Sequence, residues 1–147
     1  MRLWFPLKEH LLAVGVFSVW YYSPMPLIAS LTLIIGIQFA ALHALAEYFS
    51  LYWRFSWLDI PMHIVGGVLI VLCLHTLVAV KTIPTRFTLG LIFPLIMATI
   101  LIGWEIFGVV RFGGIKPDYL IDTSLDLVFG ILGISLGHYL ARALTKL

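Results

Sequence analysis

The chain has 147 residues, of which 62% are hydrophobic and 11% are charged, and its formal net charge at pH 7 is +2. Soluble domains carry about 25% charged residues, so this composition, with a mean hydropathy of +1.09, excludes a water-soluble globular protein. The basic residues are scattered without a patch or run, which argues against a nucleic-acid partner. These properties predict one integral membrane domain over residues 1–147.

Four apolar segments are long enough to cross a bilayer, which takes about 20 helical residues. In chain order they are Pro26 to about Phe49, Ile60 to Val80, Phe87 to Val110, and Ile121 to about Leu144. An earlier and shorter segment, His10 to Tyr22, is predicted to form a short first crossing, with an interfacial helix as the alternative. The predicted fold is therefore all-α: a polytopic transmembrane helix bundle of four long helices plus a short first helix. The loops between successive helices are short, which favours antiparallel packing of neighbouring helices.

The acidic residues all lie near one predicted face of the membrane. They are Glu9, Glu47, Asp59, Glu105, Asp118, Asp122 and Asp126. Three pairs have the four-residue spacing that puts both side chains on one helix face: His43 with Glu47, Asp59 with His63, and Asp122 with Asp126. Ionisable groups in or just beneath a bilayer are energetically costly, so several at one depth indicate a site. The opposite face carries basic residues and His75 and His138, which we interpret as structural.

Glu105 and Asp126 are the predicted catalytic residues. Glu105 lies in an otherwise apolar run, where a carboxylate must be paired, metal-bound or protonated. Asp126 lies one turn deeper than Asp122 and has no basic partner on its own helix. The predicted metal ligands are Asp59, His63, Glu105, Asp122 and Asp126, with His43 and Glu47 as possible outer partners. Carboxylate and imidazole groups suit a divalent metal such as Mg²⁺, Mn²⁺, Zn²⁺ or iron, whose identity is left open.

Two of these acids also have a simpler interpretation. Asp59 is placed where it would cap the helix that follows the Trp57 loop. Asp122 is placed where an acid is favoured by the dipole at a helix N-terminus.

Three parts of the chain resemble a known group of membrane proteins. They are Trp57 to Gly67 (WLDIPMHIVGG), then Trp104 with Glu105, then Asp122-Thr123-x-x-Asp126. Together they resemble small bacterial inner-membrane proteins of the YjdF type and, more distantly, the VanZ-like family associated with teicoplanin resistance. The resemblance covers roughly Trp57 to Gly137 and implies a helical membrane fold with a site at these residues. Relatives of this type tend to carry further acids where this chain has Gly108 and Gly130.

Three classes of function remain open. One is an enzyme whose metal-activated water acts on a lipid head group or polyprenyl phosphate, although no H-E-x-x-H, G-x-S-x-G or P-loop motif is present. Another is a structural or accessory membrane subunit whose polar cluster fixes helix packing. The third is a small cation- or proton-coupled transporter.

The expected surroundings of the protein follow from the same features. Membrane lipid is the expected partner, and the expected location is the cell inner membrane, which the chain would cross several times. A homodimer is possible through Gly133-x3-Gly137, although packing inside the bundle is the favoured use of these glycines.

Overall fold

The computed structural model describes residues 25–112 and 119–145, so the short first helix predicted over His10 to Tyr22 lies outside the described residues. The helices in chain order are α1 (Leu27–Tyr48), the single turn α2 (Leu51–Arg54), α3 (Asp59–Ala79), α4 (Ile92–Phe112) and α5 (Tyr119–Leu144). Two 3-10 turns, Ser56–Leu58 and Thr85–Thr88, precede α3 and α4. No strand occurs in these two stretches. The predicted all-α bundle with four long helices is confirmed.

Each of the four long helices is long and apolar enough to cross a membrane. The largest shift from the predicted boundaries is at α4, which was expected to begin at Phe87 and instead begins at Ile92. Phe87 belongs to the preceding 3-10 turn, and Gly90 follows with a φ of +59°. That left-handed backbone conformation is tolerated by glycine and interrupts a right-handed helix, so the helix cannot run continuously from Phe87.

Helices α3 and α5 run parallel and touch backbone to backbone along a glycine seam. A Cβ atom added to Gly67 of α3 would lie 2.5 Å from the carbonyl oxygen of Gly130 in α5. A Cβ atom on Gly133 would overlap the carbonyl oxygen of Ile64, and one on Gly137 would also press on the α3 backbone. Because only a hydrogen atom fits at these positions, the glycines allow the close approach of the two helices. The favoured in-bundle use of Gly133-x3-Gly137 is confirmed.

The other two long helices pack around this pair. α1 is joined to α3 by a hydrogen bond of 2.8 Å between the hydroxyls of Thr32 and Thr76. The Thr32 hydroxyl already donates its proton to the carbonyl of Ile28 at 2.7 Å, so Thr76 is the donor in the bond between helices. α4 meets α5 where the buried Leu101 side chain lies over Gly130, whose added Cβ atom would be 2.9 Å from a Leu101 methyl group.

Replacing Thr76 by valine should weaken the contact between α1 and α3. We expect Thr76→Val to lower the free energy of unfolding in detergent by about 0.6 kcal/mol, the average for a hydrogen bond between helices in a membrane protein. Thr99→Val is the matched control, because the exposed Thr99 hydroxyl bonds to the Leu95 carbonyl of its own helix. Chemical unfolding followed by circular dichroism measures both changes. Equal losses in the two variants would contradict a specific contribution from the α1–α3 bond.

Candidate functional site

Three polar side chains converge where α3 and α5 begin. The Nε2 atom of His63 lies 3.5 Å from Oδ1 of Asp59 on its own helix and 3.4 Å from Oδ1 of Asp126 on α5. One ligand atom from each of the three residues lies within 4.8 Å of the other two. The predicted cluster of histidine and carboxylate groups therefore exists. We call Asp59, His63 and Asp126 the acidic triad.

The glycine seam explains why Asp126 faces His63. His63 precedes Gly67 by one helical turn, and Asp126 precedes Gly130 by one turn. Gly67 and Gly130 lie against each other, and parallel helices keep matched positions level over short distances. The contact between the two glycines therefore sets the register that brings the imidazole and the carboxylate together.

Asp59 reaches the triad from the first turn of α3. Leu58 is the N-cap residue of this helix, and the cap makes no side-chain hydrogen bond. The alternative in which the Asp59 side chain caps the helix is therefore wrong, because Asp59 itself is already helical and its carboxylate lies beside His63. An acid in the first turn is still favoured by the positive end of the helix dipole.

The triad is buried on one side and open on the other. The side chains of His63 and Asp126 are 13% and 11% exposed, whereas that of Asp59 is 40% exposed. With both aspartates ionised, a protonated His63 neutralises half of the negative charge, and a neutral His63 neutralises none. The cluster then holds excess negative charge in surroundings where charge interactions are strong. Such a cluster favours a proton or a cation as an additional partner.

The two remaining predicted ligands lie beside the triad. Glu105 of α4 is half-buried and interacts electrostatically with His63 and Asp59, and its carboxylate also interacts with the Thr123 hydroxyl. Asp122 is exposed in the first turn of α5. Neither Glu105 nor Asp122 belongs to the group of residues whose ligand atoms all lie within 4.8 Å of one another. The predicted metal-ligand roles of Asp59, His63, Glu105, Asp122 and Asp126 and the predicted catalytic roles of Glu105 and Asp126 stay predictions.

His43 and Glu47 form a second polar group at the end of α1. Nε2 of His43 lies 3.7 Å from Oε1 of Glu47, as expected for residues four positions apart. Nδ1 of His43 lies 2.7 Å from the hydroxyl of Tyr52 in α2. The His43 ring also packs near Trp104, with the two ring centroids 6.1 Å apart. His43 therefore contacts the residue next to Glu105, which places this second group close to the α4 side of the site.

Tyr52 belongs to this second group and lies within electrostatic range of Asp59 in the triad, and the sequence does not predict it as a site residue. Burial, followed by the negative charges of Asp59 and Glu47, raises the pKa of Tyr52 to about 12. The phenol is protonated at neutral pH, and its hydroxyl forms the hydrogen bond to His43. In the sequence, Tyr52 is one of several aromatic residues in the Ser50–Asp59 connection. No spacing rule distinguishes it from its neighbours.

No protein-family model, curated protein sequence or solved structure matches the chain. The resemblance to YjdF-type and VanZ-like proteins therefore stays a prediction, and the chemistry of the site has to be judged from its geometry.

Proposed function

We propose that the acidic triad binds one divalent cation at the membrane interface, and that the protein uses it in a reaction on a phosphate ester of a membrane lipid. The proposed location is the cell inner membrane. One observation carries the proposal: two partly buried carboxylates and an imidazole converge from two helices that their backbones hold in fixed register. A rigid set of convergent donors with excess negative charge is the arrangement that cation binding requires.

The donor atoms of the triad suit a transition-metal ion or zinc. Imidazole nitrogen together with carboxylate oxygen is a common ligand set for Zn²⁺, Mn²⁺ and Fe²⁺. Two donors that each lie about 2.1 Å from one ion are about 3.0 Å apart at a right angle and about 4.2 Å apart at most. The distances of 3.4 and 3.5 Å from His63 to the two carboxylates fall inside that range. The ligand atoms of Asp59 and Asp126 lie within 4.8 Å of each other.

Glu105 is the proposed general base. A bound divalent cation acidifies water, and the Glu105 carboxylate lies beside the triad and within electrostatic range of all three of its members. In the proposed reaction Glu105 would take a proton from the attacking water as its oxygen bonds to phosphorus and the phosphate–alcohol bond breaks. The protonated Glu105 would then return that proton to the leaving alkoxide. Asp126 would fix His63 and the cation in place.

One observation favours a structural role as the alternative. His63 lies within 3.5 Å of a carboxylate on each side. A protonated His63 would therefore join α3 to α5 without any cation. In that case the triad would stabilise the bundle, and the protein would be a structural or accessory membrane subunit.

The catalytic part of the proposal is tested by product release from defined lipids. Detergent-purified protein is incubated with phosphatidylglycerol or with a polyprenyl phosphate, with Mn²⁺ or a chelator, and products are identified by mass spectrometry. We expect cation-dependent hydrolysis that falls at least about 100-fold in Glu105→Gln, in the range for loss of a general base. Thr99→Val, which changes an exposed polar residue on the same helix as Glu105, should keep most of the activity. Absence of product with both lipids and Mn²⁺ would overturn the catalytic role.

A further inference from the structure

The end of the bundle opposite the acidic triad contains a cavity of about 750 Å³. The beginning of α1, the last turns of α3 and α5, and the Thr85–Thr88 turn surround it. It therefore lies at the edge of the membrane-spanning helices, where lipid head groups meet the protein. None of the triad residues lines this cavity, and the proposed reaction at the triad does not involve it.

His75 lines the cavity with an imidazole nitrogen that has no partner. The residue is 8% exposed, and its Nε2 atom is buried without a hydrogen bond to any described residue. The ring meets that of His138 on α5 edge-on, with centroids 5.5 Å apart, and Nδ1 of His138 is buried without a partner in the same way. Buried polar atoms in proteins nearly always have a partner. An unpaired nitrogen on a residue that lines the cavity therefore favours a ligand with a polar atom.

Arg142 gives the cavity a positive charge. Its side chain lines the cavity and interacts electrostatically with both His75 and His138. Among the described residues, no carboxylate lines the cavity and none forms an ion pair with Arg142. The exposed residue Lys81 adds positive charge at the same end of the bundle. A guanidinium group binds phosphate oxygens through two parallel hydrogen bonds, so an anionic phosphate fits this end best.

The rest of the wall is mainly apolar and includes Leu27, Ile28, Val78 and Leu144. A cavity with one charged corner and an apolar wall at a membrane edge suits a molecule that has both a phosphate and hydrocarbon chains. We propose that this cavity binds the phosphate of an anionic phospholipid. Arg142 and His75 contact the phosphate oxygens, and the apolar wall contacts the glycerol and the first acyl carbons. The site is separate from the cation site and does not depend on it.

Lipid titrations of the detergent-purified protein test this site. Phosphatidylglycerol, phosphatidylcholine or inorganic phosphate is added, and the thermal unfolding temperature is recorded at each concentration. We expect phosphatidylglycerol to stabilise the wild-type protein, and its half-saturating concentration to rise at least about tenfold in Arg142→Gln, because a charge-assisted contact is lost. The half-saturating concentration for Arg142→Lys should lie between those of the wild type and Arg142→Gln, because a single ammonium replaces the planar guanidinium. Arg86→Gln removes a positive charge that lies at the same end of the bundle but outside the cavity. Its half-saturating concentration of phosphatidylglycerol should stay within about twofold of the wild-type value.

Three results would overturn the proposal. Equal half-saturation in the wild type and Arg142→Gln would show that Arg142 does not bind the lipid. Equal stabilisation by phosphatidylcholine would show that the effect is not selective for an anionic head group. Equal stabilisation by inorganic phosphate would identify a site for free anions and exclude the lipid assignment. If Arg142→Gln does not fold, Arg142→Lys and His75→Phe provide the same comparison, and both should bind phosphatidylglycerol more weakly than the wild type.

Discussion

Asp126→Asn should remove most of the stabilisation that a divalent cation gives to this protein. At a cation concentration of 100 times the dissociation constant, binding adds about 2.7 kcal/mol to the stability of the folded state. The largely buried Asp126 carboxylate lies 3.4 Å from His63 and is a proposed ligand, so a neutral amide there would lower both the charge and the donor strength of the site. We expect the affinity for Mn²⁺ or Zn²⁺ to fall at least about 100-fold, measured from thermal unfolding over a cation titration.

Two further variants should lose less cation affinity than Asp126→Asn. Glu105 lies beside the triad without belonging to it, so Glu105→Gln should weaken cation binding about 10- to 100-fold, as expected for a partner outside the first ligands. Asp122 lies one turn before Asp126 on the same helix and is exposed, so Asp122→Asn should change the affinity by less than about threefold. An equal effect of Asp122→Asn and Asp126→Asn would indicate general attraction of cations to a negative surface and would contradict a specific site.

Gly133→Ala should separate α3 from α5 and disturb the triad at the same time. The added methyl group would overlap the carbonyl oxygen of Ile64, and backbone atoms cannot move aside as a flexible side chain can. Overpacking of this kind costs about 1–3 kcal/mol of folding free energy. Because the same seam sets His63 against Asp126, we also expect weaker cation binding from a substitution that touches none of the ligands.

Gly103→Ala is the matched control for this variant. Gly103 also lies inside a long helix, but a Cβ atom there meets nothing within 4 Å. Alanine is the better helix former by about 1 kcal/mol, so Gly103→Ala should leave stability unchanged or raise it and should preserve cation binding. The role of the seam would be refuted by a Gly133→Ala protein that unfolds and binds cations like the wild type.

The sequence predicts the membrane helices and their polar pairs well because both depend on short-range rules. Length and hydropathy locate the four long helices to within a few residues, except at the start of α4. The pairs His43–Glu47 and Asp59–His63 form because residues four apart always share a helix face. The glycines of α5 are recognisable as a close-packing surface for a similar reason.

The composition of the triad depends on the register between α3 and α5, which no local pattern specifies. Asp122 and Asp126 share one face of α5, yet Asp126 meets His63 and Asp122 is exposed. Asp126 contacts His63 and Asp122 does not because the turn of α5 that contains Asp126 lies at the same level as His63. The same register pairs His75 with His138 at the far end, so two histidines that the sequence presents as unrelated share one environment.

Tyr52 was missed for a different physical reason. Ser50 follows the end of α1 with a φ of +52°, and this left-handed residue turns the chain so that α2 folds back. The Tyr52 hydroxyl can then reach His43 on the preceding helix. Glycine is the usual residue at such a helix end, and serine gives no clear sign of the turn. A hydropathy profile therefore places Tyr52 in a loop without indicating its partner.

The central claim is that Asp59, His63 and Asp126 hold a divalent cation, and the metal content of the purified protein tests it most directly. The wild type and the Asp126→Asn and Asp122→Asn variants are purified in detergent, equilibrated with Mn²⁺ or Zn²⁺ and desalted, and metal per chain is measured by elemental mass spectrometry. We expect close to one ion per chain in the wild type and Asp122→Asn, and almost none in a folded Asp126→Asn protein. Metal-free wild type together with a sharply destabilised Asp126→Asn variant would contradict cation binding and would identify the triad as a structural link between α3 and α5.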